Sequence, residues 1–184
     1  MPYRKNAFFA GQFYHLFNRV VKGNLLFTSW DDYSMFLNLI RKRISNYPFE
    51  MVCYCLMPTH YHFFVKILQT GHSISKFISV LLNAYVRRLQ IRGNASVRFF
   101  PGRFKHVHVE RTEQFLHLIR YIHLNPVKAG LVRHPMDWPY SNYREFATPG
   151  SKGPRGLLTP EEYEDFVMDP AVGDPKNFNR FKLD

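Results

Sequence analysis

The sequence predicts an α+β fold around an antiparallel sheet, because segments with strand and helix periodicity alternate in a fixed order. Alternating apolar residues predict strands over 13–20, 49–57, 60–68 and 103–109. Apolar residues at helical spacing predict helices within 29–44, 74–93 and 112–124. The first six elements form the ferredoxin-like βαββαβ arrangement with helices on one face of the sheet, followed by one more helix.

Local signals predict where these helices begin and end. The segment Ser29–Asp32 resembles a capping box with Asp in place of the usual Glu, and Thr112 can cap the third helix. Pro126 disfavours a helical conformation in the residue before it, so we expect that helix to end or kink near Leu124.

The composition changes after Ala147, which predicts two parts in the chain. We expect one domain over 1–146, followed over 147–184 by a Gly- and Pro-rich linker and a short acidic C-terminal extension. Thr159-Pro160-Glu161-Glu162 is a strong helix start within that extension. The extension is expected either to pack on the core or to cover part of the basic surface.

The charge balance predicts a polyanionic partner. The 184 residues carry a net charge of +11, which is typical of proteins that bind nucleic acid, although a merely basic soluble protein is the alternative. The two cysteines, Cys53 and Cys55, form no disulfide framework, and no signal peptide or long apolar run is apparent. A cytoplasmic location without membrane contact is therefore expected.

His60 and His62 are the first candidate site residues. Side chains two residues apart in a strand share a face, so both imidazoles can converge on one cation. The alternative is a pair of partly exposed strand histidines. His106 and His108 have the same spacing, so spacing alone does not separate the two pairs.

Tyr121 and Asn125 are the second candidate pair. If the helix continues through Asn125, the two side chains lie one turn apart on one face. Tyr121 can serve as a nucleophile once deprotonated, and Asn125 offers a carbonyl oxygen suited to a hard cation. Alternatively, Asn125 caps a helix that begins at Pro126, and Tyr121 simply packs its ring.

The motifs Met57-Pro58-Thr59-His60-Tyr61-His62 and Tyr121-Ile122-His123-Leu124-Asn125-Pro126-Val127-Lys128-Ala129-Gly130-Leu131 resemble those of the HUH-class single-strand tyrosine transposases. The sequence is most similar to the REP-associated tyrosine transposases, found beside bacterial palindromic repeats. The resemblance covers roughly 11–143 and includes segments 12–19, 103–105 and 138–143.

The resemblance implies a metal-dependent single-strand DNA endonuclease and strand transferase. His60 and His62 match the metal ligands, Tyr121 matches the nucleophile, and Asn125 matches the polar position that completes the metal site. The implied cofactor is Mg²⁺ or Mn²⁺, and the implied product is a 5′-phosphotyrosine link to hairpin or palindromic-repeat DNA. Related enzymes act as monomers or homodimers. The domain over 1–146 would be the HUH-type nuclease domain.

A DNA-binding surface is expected around the end of the second helix and the last strand, where cations cluster. The predicted DNA-binding residues are Arg87, Arg88, Arg103 and Lys105, with Arg92 and Arg98 beside them. Phe99 and Phe100 are candidates for stacking on unpaired bases, although both can equally belong to the core.

Two other function classes remain open from the sequence. One is a non-catalytic DNA- or RNA-binding module derived from such a transposase, since a ferredoxin-like sheet with aromatic residues is a common RNA platform. The other is a metal phosphohydrolase that uses His60, His62, His106 and His108 together.

Overall fold

A computed structural model describes residues 7–93, 99–110, 112–151, 156–173 and 181. Four strands form one antiparallel sheet in the order β2-β3-β1-β4. Their bounds are Phe13–Arg19 (β1), Phe49–Met57 (β2), His60–Ile67 (β3) and Lys105–Val109 (β4). The predicted ferredoxin-like α+β fold is confirmed.

The first two helices, α1 (Trp30–Arg41) and α2 (Ser73–Ile91), pack on one face of the sheet. Phe36 of α1 contacts the rings of Tyr61 and Phe63 on β3. The predicted capping box of Ser29 and Asp32 is present at the start of α1. Aromatic packing therefore holds the helices against the strand that carries His60 and His62.

The third helix, α3 (Thr112–Lys128), covers the opposite face of the sheet. Phe115 contacts the rings of Phe13 and Phe64, with centroids 5.3 and 5.0 Å apart. Every side chain of β3 except Lys66 is buried. The second face of the sheet is therefore closed by the helix that carries Tyr121.

The expected end of this helix near Leu124 is wrong, since α3 continues through Pro126 to Lys128. The Ala129 amide donates to the Asn125 carbonyl at 2.9 Å, and the chain leaves the helix at Gly130, whose φ is +67°. Proline inside a helix removes one backbone hydrogen bond. Pro126 itself is buried, so packing against the core offsets that loss.

The C-terminal part of the chain packs on α3. A short helix, α4 (Arg144–Ala147), precedes α5 (Pro160–Met168), and the predicted capping box of Thr159 and Glu162 starts α5. The Arg120 guanidinium donates to the carbonyls of Phe166, Val167 and Asp169 at 2.8–3.1 Å. These carbonyls lie at the end of α5, where the helix dipole favours a cation. The boundary at Ala147 remains a prediction.

His123, a residue of α3, is the centre of a buried hydrogen-bond network. Burial lowers its pKa to about 4, so the ring is neutral at pH 7, and burial raises the pKa of Tyr163. Nδ1 is hydrogen-bonded to the Tyr163 hydroxyl, and Nε2 lies 3.1 Å from the Asn142 Oδ1 atom. This network joins α3 to α5 and to the segment between α3 and α4.

We expect Tyr163→Phe to lower the free energy of unfolding by about 1–3 kcal/mol, because it leaves the buried Nδ1 of His123 without its hydroxyl partner. Tyr47→Phe, on a half-buried ring at the α1 side, should cost less than about 0.5 kcal/mol. Urea unfolding of both variants checks this. Equal losses would show that the hydroxyl contributes nothing specific.

Candidate functional site

His60 and His62 lie at the start of β3 and face α3. The register places His62 between Phe17 of β1 and Cys55 of β2, and it places His60 opposite Arg19. The two imidazole centroids are 4.9 Å apart. The predicted convergence of the two rings on one face is therefore present.

One nitrogen of each imidazole has a partner that orients the ring. His60 Nδ1 lies 3.0 Å from Thr59 Oγ1, and His62 Nδ1 lies 2.9 Å from His15 Nε2. The Nε2 atoms of both rings are buried and have no hydrogen-bond partner among the described residues. A buried nitrogen without a partner is costly, which makes this pair a candidate ligand site.

Three buried imidazoles meet here in the neutral form. Burial lowers the pKa of His15 to about 3. Burial, and then the charge of Arg19, lower the pKa of His60 to about 4. Burial and the neighbouring His15, His60 and Arg19 hold the pKa of His62 well below its usual value. Neutral imidazoles at pH 7 offer lone pairs to a metal without competition from protons.

The helix α3 brings Tyr121 and Asn125 to these histidines. The buried Tyr121 ring meets His62 edge-on, with centroids 5.5 Å apart, and the Lys128 ammonium lies 5.7 Å from the centre of the same ring. Asn125 Nδ2 donates to the Tyr121 carbonyl at 2.8 Å, which fixes the amide and leaves its oxygen available.

The Asn125 amide faces both histidines. The amide raises the pKa of His60 and of His62, but the opposite effect of burial is larger for both. Neither Nε2 atom has a partner within hydrogen-bond distance among the described residues, yet the amide lies close enough to act on both rings. Two imidazole nitrogens and an amide oxygen are a partial ligand set for a divalent ion.

Within the described part of the chain, no three His, Cys, Asp or Glu side chains form a group that could hold a metal. An ion held by two imidazoles and one amide would have further coordination positions open for water or other oxygen ligands.

His106 and His108 lie on the opposite face of the sheet. They pair with Leu16 and Tyr14, whose side chains point toward α1 and α2, whereas the partner of His62 is Phe17. His108 is also hydrogen-bonded to Gln12 at 2.8 Å. The hypothesis of a phosphohydrolase that uses all four histidines is therefore wrong.

His15 is a site residue that the sequence did not reveal. The period of two placed it on one face of β1 with Phe13 and Phe17. The sequence does not show which strand pairs with β1 or in which register, so the contact of His15 with His62 could not be predicted.

The predicted DNA-binding residues fall on two sides of the sheet. Lys105 pairs with Phe17, on the site face, and Arg103 is exposed just before β4. Arg87 and Arg88 are exposed on α2, across the sheet from His62. Their roles in DNA binding remain predictions, and Arg98 lies outside the described residues.

The two phenylalanines proposed for base stacking are not exposed rings. Phe99 is buried, and Phe100 is half-buried beside Tyr61. The stacking prediction is therefore wrong for Phe99, because its ring, which lies in the loop before β4, is buried among apolar residues.

Within the described residues, none of the helices combines the length and the apolar character needed to cross a bilayer. The longest is α2, with 19 residues, and it carries basic residues along its last turns.

Comparison with known proteins places these residues in one matched region. The family model described as "Transposase IS200 like" matches residues 10–125. That span begins just before β1 and ends at Asn125, so it contains His15, His60, His62 and Tyr121.

Individual relatives agree with the family match. A Haemophilus influenzae protein provisionally named a REP-associated tyrosine transposase is 27% identical over 117 residues, which are 59% of this chain and 66% of that protein. A REP-associated tyrosine transposase of Escherichia coli is 23% identical over 94% of this chain and 96% of its own length. A solved structure of a REP-associated tyrosine transposase bound to a REP hairpin has the same fold, with a TM-score of 0.67 and 23% identity over 95% of this chain and 98% of that one.

Proposed function

Because the chain belongs to the IS200-like transposase family, we propose that it nicks and rejoins single-stranded DNA through a covalent tyrosine intermediate. The observation that carries this proposal is the pair of buried Nε2 atoms, without partners, beside the ring of Tyr121. A merely structural histidine pair would have partners for both nitrogens of each ring.

His60, His62 and Asn125 would hold a divalent ion, either Mg²⁺ or Mn²⁺. Such an ion supplies positive charge to the scissile phosphate and to the transition state. The nitrogen-rich ligand set favours Mn²⁺, which should support activity at least as well as Mg²⁺.

Tyr121 is the proposed nucleophile. Its phenol oxygen, after loss of the proton, forms a bond to phosphorus while the bond to the 3′-oxygen breaks and a 3′-hydroxyl leaves. The product is a 5′-phosphotyrosine link, which a second 3′-hydroxyl attacks to rejoin the strands. Contacts of the ring with His62 and His15 hold the tyrosine beside the proposed metal ligands.

The proposed substrate is hairpin-forming DNA with unpaired flanks. The net charge of +11 suits a polyanion, and the related transposase was solved on a REP hairpin. The experiment is cleavage of a pool of labelled genomic hairpins with flanking single strands, with Mn²⁺ or with chelator. We expect Mn²⁺-dependent release of a 3′-hydroxyl fragment and, when an acceptor strand is added, a rejoined product.

Binding without cleavage across that whole pool would contradict the proposal. It would instead favour the non-catalytic binding module. Cleavage that releases a free 5′-phosphate, with no rejoining, would point to hydrolysis by water.

His15 is proposed to position His62 for the metal. If His62 presents Nε2, its Nδ1–H donates to His15 Nε2, which fixes the tautomer and the ring orientation. We expect His15→Ala to weaken Mn²⁺ binding by about 10–100-fold, measured by calorimetry without DNA. His15→Gln offers another acceptor and should retain more of the affinity. Equal Mn²⁺ affinity in the parent and His15→Ala would refute this role.

A further inference from the structure

Four aromatic rings near the start of α1 form a continuous stack that ends at the protein surface. Trp30 stacks on Tyr140 with centroids 5.5 Å apart and planes 20° from parallel. Tyr140 stacks on Tyr33 at 4.1 Å, and Tyr33 stacks on Phe27 at 4.2 Å. The inner three rings are buried, whereas Trp30 is 64% exposed. A large apolar ring is thus fixed from one side and open to solvent.

The stack is anchored to the turn that leads into the candidate metal site. The Leu56 amide donates to the Tyr140 carbonyl at 2.9 Å, and the Trp138 indole donates to the Leu56 carbonyl at 3.0 Å. The Phe27 amide donates to the Pro58 carbonyl at 3.2 Å. Since Pro58 is two residues before His60, the exposed ring stands at the same end of the sheet as the site.

Cations lie along the outer surface of α1 and α2. A groove between α1 and α2 is lined by Lys42, Arg88 and Arg92. Asp31, the residue after Trp30, is also part of its lining, and Arg92 lies 3.7 Å from the buried Asp32. The net charge of the residues that line the groove is positive, which suits phosphate groups.

We propose that Trp30 is a stacking platform for an unpaired base of single-stranded DNA, whose phosphates follow the basic groove between α1 and α2. A positive groove that tracks the backbone, combined with aromatic faces for the bases, is how proteins hold single strands without reading sequence. The inference rests on the proposed function, because it takes single-stranded DNA as the substrate. Trp30 thus takes the stacking role that Phe99 cannot have, because Phe99 is buried.

The buried rings beneath Trp30 support this role. Tyr140 and Tyr33 hold the indole in one orientation, so little side-chain entropy remains to be lost when a base covers the open face. A neutral base against the ring also tolerates the neighbouring Asp31 carboxylate, which repels phosphate groups only.

The test measures binding of a mixed-sequence single-stranded oligonucleotide in the Tyr121→Phe background, where the bound DNA stays intact. We expect Trp30→Ala to weaken this binding by about tenfold, and Trp30→Phe to retain most of it. Binding of a blunt hairpin without unpaired flanks should change little. Phe9→Ala is the matched control, because Phe9 is 56% exposed near the Phe8–Gly71 bridge, at the other end of β3.

Tryptophan fluorescence gives a second readout, because the chain has two tryptophans and Trp138 is buried with its indole N–H bonded. The single strand should quench the emission of Tyr121→Phe but not that of Tyr121→Phe carrying Trp30→Phe as well. Unchanged affinity in Trp30→Ala, or an equal loss with the blunt hairpin, would overturn the proposal. A change in oligomeric state with unchanged DNA binding would also overturn it and assign Trp30 to contacts between copies.

Failure of this inference is distinguishable from failure of the proposed function. Cleavage and rejoining by the otherwise unsubstituted protein report on Tyr121 and its metal site. Loss of single-strand affinity in Trp30→Ala reports on the stacking platform in protein that cannot cleave.

Discussion

Tyr121→Phe is expected to abolish formation of the covalent protein–DNA adduct and to lower cleavage by more than about a thousandfold. The substitution removes the attacking oxygen but keeps the ring, whose edge contacts with His62 and His15 hold α3 against the sheet. Metal affinity and DNA affinity should therefore change little. Denaturing gels of labelled hairpin DNA with Mn²⁺ measure the adduct.

The matched control for this variant is Tyr47→Phe. Tyr47 contacts Phe77 of α2, on the other side of the sheet, and loses one hydroxyl in the same way. It should form adduct at the parental rate. If Tyr121→Phe retained the adduct, another residue would be the nucleophile.

Replacing both His60 and His62 by alanine is expected to weaken Mn²⁺ binding by more than about 100-fold and to abolish cleavage. The reason is the loss of two of the three proposed protein ligands. Calorimetry with Mn²⁺ alone measures the affinity independently of activity. The fold should survive at reduced stability, because Phe115 still packs on Phe13 and Phe64 after the contact of His62 with Tyr121 is lost.

The chain contains its own control for that experiment. His106→Ala with His108→Ala removes a pair of identical spacing from the opposite face of the sheet. This variant should bind Mn²⁺ like the parent. Equal losses in both double variants would mean that the ion binds elsewhere or nonspecifically.

The sheet and its first two helices were predictable because each element has a clear period and clear ends. The bounds of β2 match the prediction, and β3 ends at Ile67, one residue before the predicted end. Strand periodicity also fixed His60 and His62 on one face, since residues two apart must share it. These features depend on local sequence only.

Features that depend on contacts distant in sequence were not predictable. The hydrogen bond from His15 to His62 requires the register of β1 against β3. The passage of α3 through Pro126 depends on tertiary packing that outweighs a local penalty. That passage places Asn125 one helical turn after Tyr121, as the proposed site requires, where local rules favoured a break.

The sequence predicted a helix start at Thr159, but it did not predict that α5 packs on α3. Arg120 and His123 flank Tyr121 in sequence, yet nothing in their spacing indicates partners 40 to 49 residues later. Their hydrogen bonds connect the C-terminal helix to the helix that carries the proposed nucleophile, so the extension contributes to the stability of that helix.

The most direct measurement is mass spectrometry of the adduct after nuclease and trypsin digestion. Trypsin cuts after Arg120 and Lys128, so residues 121–128 form a peptide whose one tyrosine is Tyr121. We predict that this peptide carries a nucleotide through a 5′-phosphate when the protein reacts with hairpin DNA and Mn²⁺, and not with chelator. A nucleotide on any other peptide, or cleaved DNA with this peptide unmodified, would contradict the assignment of Tyr121 as the nucleophile.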